Sequence, residues 1–218
     1  MLGVVLLLGG CATAPSGAYF PRVSEPTTLA ISHSLYRAAE AGGDDPGRYS
    51  FGMIKTEEAA AFTTDDATFF FSDGLARLPQ RIVEPIVAHE VAHEVLKHWG
   101  ARRNLSLSIT AGFIVLGVVF PGVGLVDLLV NPLVVRAYSR DQELAADARS
   151  VQILTAMGYA TPRRSLATAL TAVDRANGSP TATTMLSTHP ALAARLAALG
   201  SLEPPSQLAA ATEGILAR

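Results

Sequence analysis

The sequence predicts an α+β fold that is mainly helical, with a small antiparallel sheet in the first third of the chain. Short segments rich in β-branched and aromatic residues lie between turn signals at 48–54, 59–64 and 67–74. Segments with helical spacing of apolar residues, bounded by glycine or proline, come before and after them. The 218 residues suffice for one domain with a substantial core and short appendages.

The predicted elements are, in chain order, a helix at 27–43, the three strands, a short helix at 75–78, and helices at 84–100, 138–157, 162–176 and 190–199. Glycine ends the helix at 27–43, at Gly42-Gly43, and the helix at 84–100, at Gly100. Glycine readily adopts the left-handed conformation that is common just after a helix. Proline is tolerated in a first helical turn and breaks a helix interior, so the helix that carries HEVAH is expected to begin near Glu84-Pro85.

The N-terminus resembles a bacterial lipoprotein signal. An apolar run ends in Leu8-Gly9-Gly10-Cys11, which resembles a lipobox. The resemblance implies cleavage before Cys11, acylation of that cysteine and, with Ala12 next, a lipid-anchored protein on the periplasmic face of the outer membrane. The alternative is a buried free cysteine at a frayed terminus. The apolar run is far shorter than the ~20 residues that span a bilayer.

The domain boundaries follow from these signals. They predict a signal peptide at 1–10, a lipidated flexible tether at 11–25, one main domain at 26–200 and a C-terminal tail at 201–218. Within the domain, 104–132 carries a single charge, Asp127, and proline and glycine break it into a hairpin. Three interpretations stay open: a pair of buried helices, a hairpin that dips into the membrane, or an apolar lid or subunit contact that would make the protein an oligomer.

Composition excludes several classes of function. The net charge of −2 offers no electrostatic basis for nucleic-acid binding. The single cysteine excludes an intramolecular disulfide and a cysteine-based zinc site.

The sequence His89-Glu90-Val91-Ala92-His93 is the strongest chemical signal. On a helix the two histidines lie one turn apart on the same face, where they can hold one metal ion, and Glu90 lies beside them to accept a proton from water. Zinc requires a further protein ligand and an open position. Glu143 is the candidate third ligand, and Asp147, one turn later, is the candidate acceptor for a ligand histidine. The alternative for Glu143 is a solvated helix face.

Three segments occur in a specific order: HEVAH at 89–93, SRDQELAAD at 139–147 and STHPALAARL at 187–196. This order resembles the HtpX-like and CAAX-prenyl-protease superfamily of gluzincin zinc metallopeptidases, and the resemblance extends over about 48–199. It implies a zincin-like domain with one zinc ion per chain. The implied residues are the zinc ligands His89, His93 and Glu143, the general base Glu90, and Asp147, His189 and Arg195 around them.

The resemblance assigns His189 to stabilising the oxyanion or occupying the open metal position in a resting state, and Arg195 to holding Asp147 or the substrate. The backbone at 60–62 is expected to pair with an extended peptide. His98 is expected to be rotated away from the ligand face, and His33 to be structural.

The function implied is a zinc endopeptidase that hydrolyses envelope polypeptides, in protein quality control. The alternative is a membrane-tethered chaperone or assembly factor whose peptidase activity is latent or regulated by His189. The intact Glu90 favours the enzyme, since a binding protein has no need of a base beside the metal. A purely structural zinc site is disfavoured because three protein ligands leave an open position.

Overall fold

The computed structural model describes residues 17–64, 67–98, 138–178 and 192–204. The predicted signal peptide, Cys11, the apolar segment 104–132 and His189 lie outside the described residues. Within the described ranges, no helix has both the length and the apolar character needed to cross a membrane.

The architecture is mainly helical with one small sheet, which confirms the predicted α+β class. The elements are β1 (Ala18–Tyr19), α1 (Pro26–Ala41), a 3₁₀ turn (Pro46–Arg48), β2 (Ser50–Ile54), β3 (Ala61–Thr63), β4 (Thr68–Ser72), α2 (Asp73–Ala76), α3 (Gln80–Val95), α4 (Arg140–Ala156), α5 (Pro162–Asn177) and α6 (Leu192–Ala198). Helix α3 packs against α1, α4, α5 and β3, so it lies at the centre of the described fold.

The sheet is mixed, whereas an antiparallel sheet was expected. Its strand order is β1-β2-β4-β3. Strands β3 and β4 form the predicted antiparallel pair, but β4 runs parallel to β2, with Phe51 opposite Phe69. After β2 the chain leaves a gap of one strand and forms β3 antiparallel to β2. Strand β4 then fills the gap between them and runs parallel to β2. The alternation of residues along each strand does not predict which strands become neighbours, so this crossover was not predictable from it.

The first strand lies inside the segment predicted to be a tether. Ala18 pairs with Ile54 and Tyr19 with Met53, and the Tyr19 hydroxyl donates a hydrogen bond of 2.6 Å to Asp73. The sheet therefore begins before the predicted start of the domain.

Helix α3 begins earlier and ends earlier than predicted. Pro79 caps it, accepting hydrogen bonds from Ile82 and Val83, and Pro85 lies inside it. Pro85 removes one backbone donor near the start, and the burial of every residue from 82 to 94 outweighs that loss. The helix ends at Val95, short of the expected end at Trp99-Gly100, and Lys97 adopts a left-handed φ of 57°.

A buried polar cluster joins α3 to its neighbours near the start of the helix. Glu84 accepts hydrogen bonds from Arg37 of α1 at 2.6 Å and from Tyr159, just after α4, at 2.5 Å. Arg37 also donates to the carbonyl oxygen of Met157 at 2.9 Å. These bonds satisfy a carboxylate that packing has removed from water, and they align α1 and α4 along α3.

We predict that Gly74→Ala destabilises the protein. A methyl group at Gly74 would overlap the backbone carbonyl groups of Glu57 and Glu58, which are not flexible side-chain ends. Overpacking of this kind lowers the free energy of unfolding by about 1–3 kcal/mol. Urea unfolding measures it, with Gly47→Ala as the control, since the nearest atom there belongs to the Asp45 side chain. Equal stability of the two variants would contradict the prediction.

Candidate metal centre

Two helices bring three ligand groups to one buried point. His89 and His93 lie on successive turns of α3, with their Nε2 atoms 3.0 Å apart. Glu143 of α4 places Oε2 3.5 Å from His89 Nε2 and Oε1 3.4 Å from His93 Nε2. All three side chains are fully buried. Ligands held about 2.0–2.1 Å from a tetrahedral zinc ion lie about 3.3 Å from one another, so these spacings fit zinc.

The start of α4 determines where Glu143 lies. Ser139 accepts a hydrogen bond of 3.2 Å from the backbone N–H of Gln142, and the Gln142 side chain accepts one of 3.0 Å from the backbone of Ser139. This reciprocal capping box starts the helix at Arg140. Glu143 therefore lies in the first turn of α4, on the side that faces α3.

Asp147 and Arg195 form the outer layer of the site. Asp147 Oδ1 lies 3.1 Å from His89 Nδ1, the ring nitrogen that points away from the ligand cluster. Arg195 of α6 donates to both carboxylate oxygens of Asp147, at 2.8 and 2.6 Å, and its Nη1 lies 3.0 Å from Glu143. The Arg195 guanidinium thus connects the candidate ligand Glu143 with Asp147, the carboxylate that contacts the candidate ligand His89.

The charges of this cluster favour a cation at its centre. Burial and the charge of Arg195 lower the pKa of His89, but hydrogen bonds to Asp147 and Glu143 outweigh them and raise it to about 9. Burial raises the pKa of Asp147, but Arg195 and His89 outweigh it and hold the pKa below its ordinary value. A histidine that binds a metal is neutral, so with His89 as a ligand the carboxylates of Glu90, Glu143 and Asp147 face one guanidinium. This leaves two formal negative charges that a divalent cation would neutralise.

The candidate base Glu90 is bound by a residue that the sequence analysis did not single out. The Thr63 hydroxyl lies 2.9 Å from Glu90 Oε2 and 3.1 Å from the Glu90 carbonyl oxygen, and both residues are fully buried. Thr63 is the last residue of β3, which packs against α3. The strand at the edge of the sheet is therefore bonded directly to the carboxylate beside the metal site.

His98 contacts the site, so the expectation that it points away is wrong. Its Nδ1 lies 2.9 Å from His93 Nδ1, and the residue is buried. Helix α3 ends at Val95, and the left-handed Lys97 turns the chain back, whereas the expectation assumed a continuing helix. The ring of Tyr138, for which the sequence predicts no role, stacks on His93 with centroids 3.7 Å apart. No local pattern in the sequence signals either contact.

The structure brings together His89, Glu90, His93, Glu143, Asp147 and Arg195, which are six of the predicted site residues. His189 and Cys11 lie outside the described residues. Among the described residues, His89, His93 and Glu143 form the one group of three side chains with metal-binding geometry.

We predict that Arg195→Met destabilises the metal-free protein by about 3–5 kcal/mol, because it removes the buried guanidinium that contacts both Asp147 and Glu143. Urea unfolding in a chelator measures the loss. Arg175→Met, at an exposed position of α5, is the control and is expected to change stability by less than about 0.5 kcal/mol. A loss as small as that of the control would show that the buried ion pair contributes little.

Comparison with known proteins agrees with this site. A sequence model of Peptidase family M48 matches residues 30–203, a range that includes both histidines, Glu143 and Arg195. Among curated proteins, no match is found. The match covers most of the chain and confirms the resemblance to gluzincin metallopeptidases. The chain therefore belongs to peptidase family M48, whose members are metallopeptidases that usually bind zinc.

Proposed function

We propose that this chain is a zinc-dependent endopeptidase that hydrolyses peptide bonds of envelope proteins, with Glu90 as the general base. The observation that carries the proposal is the convergence of His89, His93 and Glu143 beside that buried carboxylate. Family membership supports peptidase chemistry and polypeptide substrates.

The residues present fit one zinc ion per chain. His89, His93 and Glu143 would hold it, and three protein ligands leave a position for water or substrate. When bound, zinc supplies a Lewis acid for the scissile carbonyl and lowers the pKa of water to about 7. Asp147 holds His89 with its Nε2 towards Glu143, and Arg195 holds Asp147. This outer layer keeps the ligand ring in its binding orientation.

The proton transfers are assigned to Glu90. Its carboxylate accepts a proton from the attacking water as the new carbon–oxygen bond forms, and passes that proton to the amine as the carbon–nitrogen bond breaks. The hydrogen bond from Thr63 fixes the orientation of the carboxylate during both transfers. Hydrolysis by this route needs no covalent intermediate with the protein.

The substrate is proposed to bind as an extended chain along β3. This strand stands at one end of the sheet order, with β4 as its neighbour on one side among the described strands. A peptide that adds to such an edge is bound through main-chain hydrogen bonds, which accept many sequences. The bond from Thr63 to Glu90 places that edge beside the base. The arrangement suits an enzyme that degrades misfolded or unassembled proteins.

The proposed setting is the periplasmic face of the outer membrane. The lipobox-like Leu8-Gly9-Gly10-Cys11 supports acylation of the cysteine, which would hold the enzyme among envelope proteins. His189, in the His-Pro segment implied to lie near the site, is proposed to stabilise the oxyanion or to regulate access to the metal.

We predict that Glu90→Gln abolishes proteolysis and leaves zinc binding intact. The amide cannot accept the water proton, and loss of a general base lowers the rate by about 10²–10⁴-fold. Casein cleavage and zinc content are measured on both proteins. Glu94→Gln, one turn further along α3 and bonded to Lys97, is the matched control. A zinc-loaded unmodified protein that cleaves no polypeptide would contradict the proposal and favour a holding function.

We predict that Cys11→Ser abolishes acylation and releases the protein from the membrane fraction, because a thiol is required to carry the lipid. Labelling with a fatty-acid analogue and fractionation of cells measure the two effects. The soluble variant is expected to keep one zinc ion per chain. Identical labelling and distribution of variant and unmodified protein would refute the lipoprotein assignment without affecting the peptidase.

A further inference from the structure

We propose that His98 is a positioning residue for His93: its Nδ1 accepts a hydrogen bond from His93 and thereby holds the His93 ring with Nε2 towards the metal. This inference rests on the proposed function, because it takes His89, His93 and Glu143 as the zinc ligands. It assigns the outer partner of the second histidine, as Asp147 is the outer partner of the first.

The contact is short and buried. The two Nδ1 atoms lie 2.9 Å apart, within hydrogen-bonding distance, and the rings meet edge to face at 68° with centroids 5.0 Å apart. His98 is 9% exposed and His93 is fully buried. The approach of one ring edge to the other is the geometry of a hydrogen bond between imidazoles.

The direction of this hydrogen bond follows from the ligand role of His93. A metal-binding nitrogen presents a lone pair, and Nε2 of His93 is the atom that faces His89 and Glu143. A neutral imidazole then carries its hydrogen on Nδ1. His93 is therefore the donor, and His98 accepts through Nδ1 while carrying its own hydrogen on Nε2.

The backbone turn after α3 makes the contact. On a continuing helix a residue five positions after His93 would lie about 140° around the axis, away from that side chain. Instead α3 ends at Val95, Leu96 caps it in right-handed conformation, and Lys97 has a φ of 57°. The Lys97 N–H donates to the Glu94 carbonyl oxygen at 2.9 Å, which closes the helix end. The reversed chain then places His98 against the last turn of α3.

Electrostatics explains why the two ligand histidines have different outer partners. His89 is held by Asp147, whose charge is compensated by Arg195. Glu90, Glu143 and Asp147 already face Arg195, and a bound zinc ion would balance the remaining charge, so a fourth carboxylate beside His93 would be buried without compensation. A neutral imidazole supplies an acceptor without adding charge. Stacking of Tyr138 on His93, with an angle of 19° between the rings, restrains the same ring from its face.

A pair of variants of similar shape separates the role of His98 as a hydrogen-bond acceptor from its contribution to packing. Asparagine at position 98 keeps a side-chain oxygen near the place of Nδ1, and leucine has nearly the same shape without an acceptor. We expect His98→Leu to weaken zinc binding by about 10- to 100-fold, the usual effect of losing a ligand's outer partner. His98→Asn is expected to stay within about threefold of the unmodified protein. Competition with a chromogenic chelator measures the zinc dissociation constants.

Two further readouts accompany the affinities. The thermal midpoint of each metal-free variant reports packing, and the visible absorption of the cobalt-substituted protein reports ligand geometry. We expect similar midpoints for both variants and an altered cobalt spectrum for the leucine variant alone. His98→Gln and His98→Met form a second pair matched in shape, to be used if the leucine variant does not fold. Leu96→Ala, at a half-exposed neighbouring position, is the control for the helix end.

The outcomes distinguish this inference from the proposed function. Equal zinc affinity of the leucine and asparagine variants, whether reduced or unchanged, would overturn the role of His98 while the zinc site stands. If the unmodified protein binds no zinc, or Glu143→Gln binds it as tightly as the unmodified protein, the proposed metal site fails and this inference fails with it.

Discussion

The structure depends on one constraint: the charged groups of the candidate metal centre are buried, and each must find its partners inside the protein. His89, Glu90 and His93 lie on a helix that has no exposed residue between 82 and 94. Water therefore does not solvate them along that helix. Buried carboxylates and imidazoles are tolerated when neighbouring elements supply donors, acceptors and opposite charge. The surrounding helices and the end of β3 supply them.

Three elements around the site each contribute specific polar groups. Helix α4 supplies Glu143 and Asp147 one turn apart, and α6 supplies Arg195, which bonds to both. Strand β3 supplies Thr63 to Glu90. The positions of these elements are thus coupled through the site, and a shift of one of them separates charges that stabilise one another only in contact. The same arrangement that satisfies the buried groups prepares the ligands for a cation.

The site also joins binding of a polypeptide to the chemistry proposed for it. Thr63 belongs to the edge strand and bonds to the base, so the surface that would align an extended substrate and the group that would move the proton share one hydrogen bond. The turn at the C-terminal end of α3 makes a second link of this kind. There the left-handed Lys97 places His98 against the candidate ligand His93. Both hydrogen bonds restrain the orientation of a group in the candidate site, Glu90 in one case and His93 in the other. Proposed catalytic groups and ligands act best when they are held in a fixed orientation.

The sequence by itself determined the features that follow from local spacing. Residues four apart on a helix share a face, so His89 with His93 and Glu143 with Asp147 were identifiable as pairs, and glycine and proline marked most helix ends closely. The order of three motifs in the sequence predicts the candidate zinc site. The sequence did not predict that α3 is buried on all sides. Pro85 suggested a start near Glu84, whereas the helix begins at Gln80.

Only the tertiary structure decided the mixed sheet, the partner of Glu90 and the return of His98. The parallel pairing of β2 with β4 depends on where β3 forms, and the bond from Thr63 joins residues far apart in the chain. The left-handed conformation of Lys97 is one that a non-glycine side chain rarely adopts, so no residue preference announces it. Packing around a buried site selects such contacts, because their free energy comes from partners that local sequence does not contain.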